Sequence, residues 1–337
     1  MGLGISSAMA FEMNIYGVGH MSMDSNDDGS DSQLYIASNA SRLGFKGNHA
    51  INNNMKVIFQ YESGVDLTGR GSNDGNGPAN NANSLFTNAR DSYVGVSGNF
   101  GSVITGRLPA LNQWLYNYNL FADQIGDLGN IWGGTGLADR INGAIAYALP
   151  DMGNGIDGRL TFIPENGTAN NDSLIAVLNY NNSAGLKLGG AYFSYGKGTG
   201  NPEHTATAIT GSYDMGAFSV GGGYQTESDM GGTAGNDRNS YALGGSFKIG
   251  SASTIKAQYV ASNADAANSD ATQIAVGYDY AVDKSTTAYL AYSSTSNDSS
   301  VNFTANNYGH GQGLTIANGA DPSSISVGIV YKFDTRL

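Results

Sequence analysis

The segment SISVGIVYKF, residues 324–333, alternates polar or small side chains with apolar ones along most of its length. Every second position is apolar: Ile325, Val327, Ile329, Tyr331 and Phe333. Because successive side chains of a strand point to opposite faces of the sheet, this period of two predicts a β-strand with one apolar face. Residues 241–249 and 274–280 repeat the pattern. Both a soluble β-sandwich and a membrane barrel produce such alternation, so the pattern alone leaves the two open.

The composition excludes several classes of protein. The chain has 337 residues, a net charge of −12 and no cysteine, and only 13% of its residues are charged, against about 25% in typical domains. A basic nucleic-acid binder, a disulfide scaffold and a cysteine-ligated metal site are therefore excluded. The chain contains no run of about 18 apolar residues, so no transmembrane helix is predicted. The low charge favours a surface that avoids charged groups.

The alternating pattern extends over the whole chain and predicts sixteen strands. Most are longer than the roughly 5–6 residues usual in soluble sheets, and they suit a tilted bilayer crossing of about 9–11 residues. The predicted strands are 12–23, 34–47, 55–65, 90–98, 101–107, 140–149, 157–165, 172–181, 185–195, 204–213, 218–227, 239–249, 254–263, 271–281, 286–294 and 323–333.

The predicted connections alternate between short and long. The short ones are 48–54, 99–100, 150–156, 182–184, 214–217, 250–253 and 282–285. The long ones are 24–33, 66–89, 108–139, 166–171, 196–203, 228–238, 264–270 and 295–322. Short periplasmic turns and longer external loops give this alternation in an antiparallel transmembrane barrel. The sequence therefore favours an all-β, sixteen-stranded barrel over a sandwich.

Charge placement distinguishes the two ends of the predicted barrel. Seven of the eight lysines lie on or beside the short-turn end: Lys46, Lys56, Lys187, Lys248, Lys256, Lys284 and Lys332. Acidic residues are concentrated in the long connections, for example Asp66, Asp229 and Asp298. The external mouth is therefore predicted to be acidic and the opposite end basic.

Three stretches resemble the Gram-negative trimeric general porin family. They are SRLGFKG at 41–47, RDSYVGVSGNFGSVITGR at 90–107 and SVGIVYKF at 326–333. The resemblance implies a homotrimer in the outer membrane, in contact with lipid and lipopolysaccharide, and passive diffusion of ions and small hydrophilic solutes. It implies no enzymatic activity, no cofactor and no nucleic-acid partner. It also implies a third external loop folded into the pore.

Residues 108–139 are predicted to be that constriction loop. They form a long early connection rich in apolar and aromatic groups, beginning LPALNQWLY at 108–116, and such a segment must bury itself against a surface. A short helix is expected within 110–122. Asp123 and Asp127 are expected to face the barrel wall across the narrowest part of the pore.

Four arginines are predicted to form a basic wall opposite these acids: Arg42, Arg90, Arg107 and Arg140. Arg42 faces inward if Leu43 and Phe45 face outward. Plain alternation would place Arg107 outward, so a bulge or a strand end is expected at Gly106. A further arginine of the family pattern would fall near Ala148 and is missing here. All four could instead be ordinary strand-end arginines.

Acids opposite arginines would create an electric field across the narrowest part of the pore, so selectivity would follow from the pore diameter and the net charge of the lumen. The acidic mouth predicts a modest cation preference, and a waist dominated by its arginines would instead give an anion channel. Two rival functions use the same barrel. One is a substrate-selective channel with a saturable lumen site, and the other is a structural or adhesive surface barrel with an occluded lumen.

Two further features concern the N-terminus and the second long connection. Residues 1–10 end in Ala8-Met9-Ala10, which predicts a signal-peptide remnant that precedes a single barrel domain over 11–337. The loop 66–89 is expected to latch onto a neighbouring subunit.

Asp24, Asn26 and Asp28 match the first half of a calcium loop. Tyr35 stands where that loop needs a bidentate Glu, so a solvated acidic loop is the alternative to a weak calcium site. Apart from this candidate, the sequence predicts no metal site.

Overall fold

A computed structural model of the chain describes residues 11–69, 85–133, 136–165, 167–311 and 314–337. Its strands are β1 (Phe11–Asp27), β2 (Ser32–Ser38), β3 (Arg42–Asn52), β4 (Met55–Val65), β5 (Phe86–Ala89), β6 (Ser92–Gly98), β7 (Gly101–Pro109), β8 (Arg140–Ala148), β9 (Ile156–Ile163), β10 (Ser173–Asn181), β11 (Leu186–Tyr195), β12 (His204–Asp214), β13 (Phe218–Ser228), β14 (Arg238–Ile249), β15 (Ser253–Ala264), β16 (Ala271–Ala281), β17 (Thr286–Asn297) and β18 (Ser323–Arg336).

These segments form a closed antiparallel barrel of sixteen crossings. Segments β2 and β3 make one interrupted crossing, and β5 and β6 make another, since both members of each pair align with the same neighbour. The barrel closes where β1 pairs with β18, from Asn14 opposite Arg336 to Asp27 opposite Ser323. The predicted fold class and strand number are confirmed. No described helix is long and apolar enough to cross a membrane.

Three strand irregularities cluster near the predicted basic wall. The break between β2 and β3 includes Ala40 in a left-handed conformation, with φ of 44°. The break between β5 and β6 contains Arg90, and the register between β7 and β8 shifts between Gly106 and Leu108. An irregularity beside Arg107 was expected at Gly106; the register shift occurs there, but the extra residue lies on β8, where Asn142 and Gly143 stand opposite Arg107. Such irregularities redirect side chains and are common beside functional sites.

The outer surface of the barrel is apolar. Leu243 is 62% exposed and Phe247 50% exposed, and both alternate with residues that face the lumen. Large apolar side chains exposed in such numbers need a non-aqueous neighbour, which a lipid bilayer provides. Phe45, which was expected to face outward, is exposed, as are Leu243, Phe247 and Ile329 on the apolar faces of their strands, whereas Leu43 is partly buried.

The hydrophobic core lies inside the lumen, around the long connection that follows β7. This connection contains helix α1 (Asn112–Leu115), a 3-10 turn (Tyr116–Tyr118) and helix α2 (Gly129–Trp132). Trp114, Leu115 and Trp132 are fully buried. They belong to one cluster with wall residues such as Ile175 and Phe193. The connection is folded into the barrel, and its helical part is shorter than the span predicted for it.

Candidate pore constriction

A row of glycines in the barrel wall receives the loop. Five glycines would collide with loop side chains if they carried a β-carbon, and we call them the glycine groove: Gly189, Gly221, Gly223, Gly244 and Gly277. A β-carbon at Gly277 would lie 2.8 Å from Phe121, and one at Gly221 would lie 2.8 Å from Tyr118. Strands β11 to β16 therefore approach the loop more closely than any larger residue would permit.

Neutral side chains of the same strands bind the loop through hydrogen bonds. The indole N–H of Trp114 donates to Gln225 Oε1 at 2.9 Å, and Gln225 Nε2 donates to Trp132 O at 3.2 Å. Asn117 Nδ2 donates to Thr210 Oγ1 at 2.9 Å. These polar groups of Trp114, Asn117 and Trp132 thus have partners on the wall, which offsets the cost of burying them.

One predicted charge pair joins the loop to the barrel wall. Arg42 Nη1 lies 3.3 Å from Asp123 Oδ2, and both side chains are partly exposed, at 23% and 21%. Arg42 also donates to Ala40 O at 2.9 Å, across the interruption between β2 and β3. Asp123 itself has a left-handed backbone, with φ of 61°. The structure therefore brings together Arg42 and Asp123 at the meeting point of wall and loop.

The other predicted arginines contact groups of the wall itself. Arg90 forms an ion pair with Glu62 at 2.6 Å, and Arg140 pairs with Asp91 at 2.5 Å. Glu62 and Asp91 were not among the predicted site residues, because acids within strands give no signal that separates a lumen partner from a solvated residue.

Arg107 donates to backbone and amide oxygens beside these pairs. Its Nε atom bonds Ala89 O at 2.7 Å, and its Nη1 atom bonds Asn142 Oδ1. The four arginines thus lie on the neighbouring strands β3 to β8, and we keep the name basic wall for them.

Asp127 is buried inside the loop, and the described ion pairs join it to none of the four arginines. Its carboxylate accepts hydrogen bonds from Asn119 Nδ2 at 2.8 Å, from Asp123 N–H at 2.8 Å and from Gly129 N–H at 2.7 Å. Burial, reinforced by the charge of Asp123, raises the pKa of Asp127 to about 8. The prediction that Asp127 faces the basic wall is therefore corrected: it shapes the turn that presents Asp123.

The residues of the calcium candidate do not converge. Asp24 is buried, and its carboxylate accepts from Ser326 at 2.6 Å and pairs with His310 at 2.9 Å. Asp28 is half-buried and closes a local turn by accepting from the backbone N–H of Asp31 at 2.9 Å. The described residues contain no group of three histidine, cysteine, aspartate or glutamate side chains able to hold a metal ion.

The last external loop also enters the lumen, which the sequence did not predict. Asn130 Oδ1 accepts from the backbone N–H groups of Asn307 and Tyr308, at 2.9 and 2.8 Å. Tyr308 OH donates to Asn112 at 2.8 Å and also bonds Asp139. The aromatic residues Phe303 and Tyr308 within this external loop were the available signal. Residues 303–311 thus pack on the constriction loop.

His310 joins this last loop to both the wall and the constriction loop. Its Nε2 lies 2.9 Å from Asp24 Oδ2, and its Nδ1 lies 3.3 Å from Asp123 O. Burial lowers the pKa of His310, but the charge and hydrogen bond of Asp24 outweigh this and raise the pKa overall. A protonated imidazole donates from both nitrogens, which matches the two acceptors.

Two sequence predictions fall outside the described residues. The proposed signal remnant at 1–10 is one, and the central part of the proposed latch, at 70–84, is the other.

Comparison with known proteins relates this geometry to a family. A family model described as Gram-negative porin matches residues 4–300. The chain is 28% identical over 288 residues to the major outer membrane protein P.IB of Neisseria gonorrhoeae, covering 76% of this chain and 78% of that protein. It is 30% identical over 266 residues to the outer membrane porin protein 32 of Delftia acidovorans, covering 74% of this chain and 72% of the relative.

Solved structures share the fold at lower sequence identity. The anion-selective porin from Comamonas acidovorans superposes with a TM-score of 0.79 at 24% identity, covering 96% of this chain and 100% of the other. OmpT of Vibrio cholerae, in a trimer form, superposes with a TM-score of 0.68 at 17% identity, covering 96% and 100%.

Proposed function

Because the chain belongs to the Gram-negative porin family, whose members are outer-membrane channels, we propose that residues 108–139 form the constriction of its pore. The barrel lets ions and small hydrophilic solutes diffuse passively across the outer membrane. Its relatives are porins, and the proposed role of the lumen requires no catalysis and no cofactor.

The Arg42–Asp123 pair is the observation that carries the proposal. It lies between a loop seated in the lumen and a wall that carries four arginines, and its 3.3 Å contact remains partly open to water. Because the two groups are in contact, they form a dipole at the surface of the pore, and charges that line a pore select among ions and polar solutes. The proposal therefore places the constriction beside this pair, with Arg90, Arg107 and Arg140 extending the charged surface along the wall.

We infer a weak anion preference at neutral pH, which is the alternative that the sequence left open. Asp123 is compensated by Arg42, and Asp127 is largely protonated at pH 7 because burial raises its pKa to about 8. The loop therefore contributes less negative charge than its two acids predict. The related solved porin from Comamonas acidovorans is described as anion-selective, which supports the same direction.

Reversal potentials of the purified protein in planar bilayers under a KCl gradient test the proposal. Arg42→Ser should shift permeability toward cations, and Asp123→Asn should shift it toward anions, because each removes one member of the pair. Lys248→Ser at the exposed periplasmic rim is the matched control and should leave the reversal potential unchanged. Unchanged potentials in both lumen variants would contradict the assignment of the constriction.

We propose that the channel is a homotrimer surrounded by outer-membrane lipid and lipopolysaccharide. The trimer form of the similar OmpT structure and the apolar outer surface support this. Light scattering of the detergent-solubilised protein should give three copies per particle.

Two results of the bilayer recordings would favour the rival functions. Current that saturates with one solute would favour the substrate-selective channel, and absence of current would favour the structural barrel.

A further inference from the structure

Lys256 is a buried lysine of the lumen wall that contacts the constriction loop. It lies on β15, and its side chain is 5% exposed. Its Nζ atom is 2.9 Å from Leu120 O, 2.8 Å from Gln124 Oε1 and 2.9 Å from Asp279 Oδ2. A lysine ammonium has three N–H donors, so these three acceptors use all of them. Two of the three acceptors belong to the loop.

Gln258 continues the same contact two residues further along β15, on the same face of the strand. Its Oε1 accepts from the backbone N–H of Leu120 at 3.1 Å, and its Nε2 donates to Gly126 O at 3.2 Å. Lys256 and Gln258 together bind residues 120–126 at both ends. An amide side chain can bind a backbone donor and a backbone acceptor at once, so this contact fixes position as well as distance.

Apolar packing also holds residues 120–126 in place. Phe121 is fully buried, and Lys256 Nζ lies 4.6 Å from the centre of its ring. A β-carbon at Gly277 would lie 2.8 Å from Phe121 and 3.0 Å from the side chain of Lys256, so only glycine leaves room for both. The segment therefore has one close-fitting position against β15 and β16.

Asp123 lies in the middle of the segment that Lys256 binds, and its carboxylate extends to Arg42 on β3. We propose that Lys256 is a positioning residue of the pore: by seating residues 120–126 it determines where Asp123 stands relative to the basic wall. The inference rests on the proposed function, since it concerns the same constriction. The lysine acts through the loop, because its own charge is buried and balanced by Asp279.

The balanced charge permits a test that separates positioning from simple electrostatics. The double variant Lys256→Met with Asp279→Asn removes one positive and one negative charge, so the net charge of the lumen is unchanged. A direct electrostatic role predicts no change in reversal potential. Loss of the contacts that hold residues 120–126 predicts that the cation-to-anion permeability ratio changes at least twofold and that the open-channel current fluctuates more.

The matched control is Lys46→Met with Asp334→Asn, which removes an exposed ion pair of 2.6 Å between β3 and β18. It should behave as the wild type. In an Asp123→Asn background, Lys256→Met with Asp279→Asn should give no further shift in permeability ratio, because the charge that it misplaces is already absent.

If Lys256→Met with Asp279→Asn behaves like the control Lys46→Met with Asp334→Asn, the inference is overturned. If the Lys256 double variant fails to assemble, Gln124→Leu tests the same contacts from the loop side, and a wild-type current with unchanged noise would likewise overturn it. Arg42→Ser and Asp123→Asn distinguish the two levels of the argument. If these shift the reversal potential and the lysine variant does not, the positioning role fails while the constriction stands.

Discussion

The glycine groove and the basic wall occupy different arcs of the barrel, on β11 to β16 and β3 to β8, and contact the same loop by different means. At the groove, close approach, apolar burial, amide side chains and the buried ammonium of Lys256 bind the loop. At the basic wall, Arg42 contacts it through a partly exposed ion pair. Packing is insensitive to salt, whereas exposed charge is screened over about 10 Å at 0.1 M salt. The groove therefore fixes the loop, and the wall acts on the solute.

Filling the groove should have the largest effect. A β-carbon at Gly189 would lie 2.3 Å from Asn117 Nδ2, whereas one at Gly190 would meet nothing within 4 Å. We expect Gly189→Leu to displace the loop at a cost of about 1–3 kcal/mol, as overpacking of a close-fitting contact does. Single-channel recording should show a lower conductance with larger fluctuations.

The neighbouring glycine is the control for this prediction. Gly190→Leu adds the same volume one residue away and should keep the wild-type conductance. If both variants conduct alike, the groove does not determine the position of the loop, and the contrast between the two arcs disappears.

Breaking a charge pair of the basic wall should have an intermediate effect. Glu62→Gln removes the partner of Arg90, and both side chains are only 8% exposed. Removing one member of a buried pair costs about 3–5 kcal/mol, and the loss of the negative charge of Glu62 should shift the reversal potential toward anions. Glu12→Gln breaks the exposed pair with Arg336 and should leave selectivity unchanged. A shift toward cations in the Glu62 variant would contradict the arrangement of the wall.

The two arcs also differ in how far the sequence predicts them. Period-two alternation predicted sixteen crossings, because half-buried strands must alternate, and the length of residues 108–139 with their aromatic content predicted an inward loop. Arg42 was predicted from the alternation that places Leu43 and Phe45 outward, and Asp123 from its position in the loop that was expected to face the barrel wall. The irregularity beside Arg107 followed from a conflict between alternation and the family pattern.

The groove and its polar anchors were not predicted. Glycines such as Gly221 and Gly244 gave no signal of the groove, since a missing side chain does not say what fills the space. Lys256 looked like one of several lysines near the short-turn end, and nothing local places it beneath the loop. Asp127 was expected to resemble Asp123, although burial and three hydrogen bonds give it a different environment. Long-range contacts decided each of these cases.

The smallest expected effect is a pH dependence that comes from Asp127. Because its pKa in the folded protein is raised to about 8, its contribution to stability is complete below its ordinary pKa and is lost as the pH rises through 8. Ionisation adds a negative charge beside Asp123, so the reversal potential should move toward cations between pH 6.5 and pH 9. His310 loses its proton in the same direction, and therefore the comparison with Asp127→Asn isolates the aspartate. That variant keeps a neutral side chain at every pH and should show a smaller shift over the range. An equal shift in both proteins would place the titrating group elsewhere and would contradict the titration of Asp127 between pH 6.5 and pH 9.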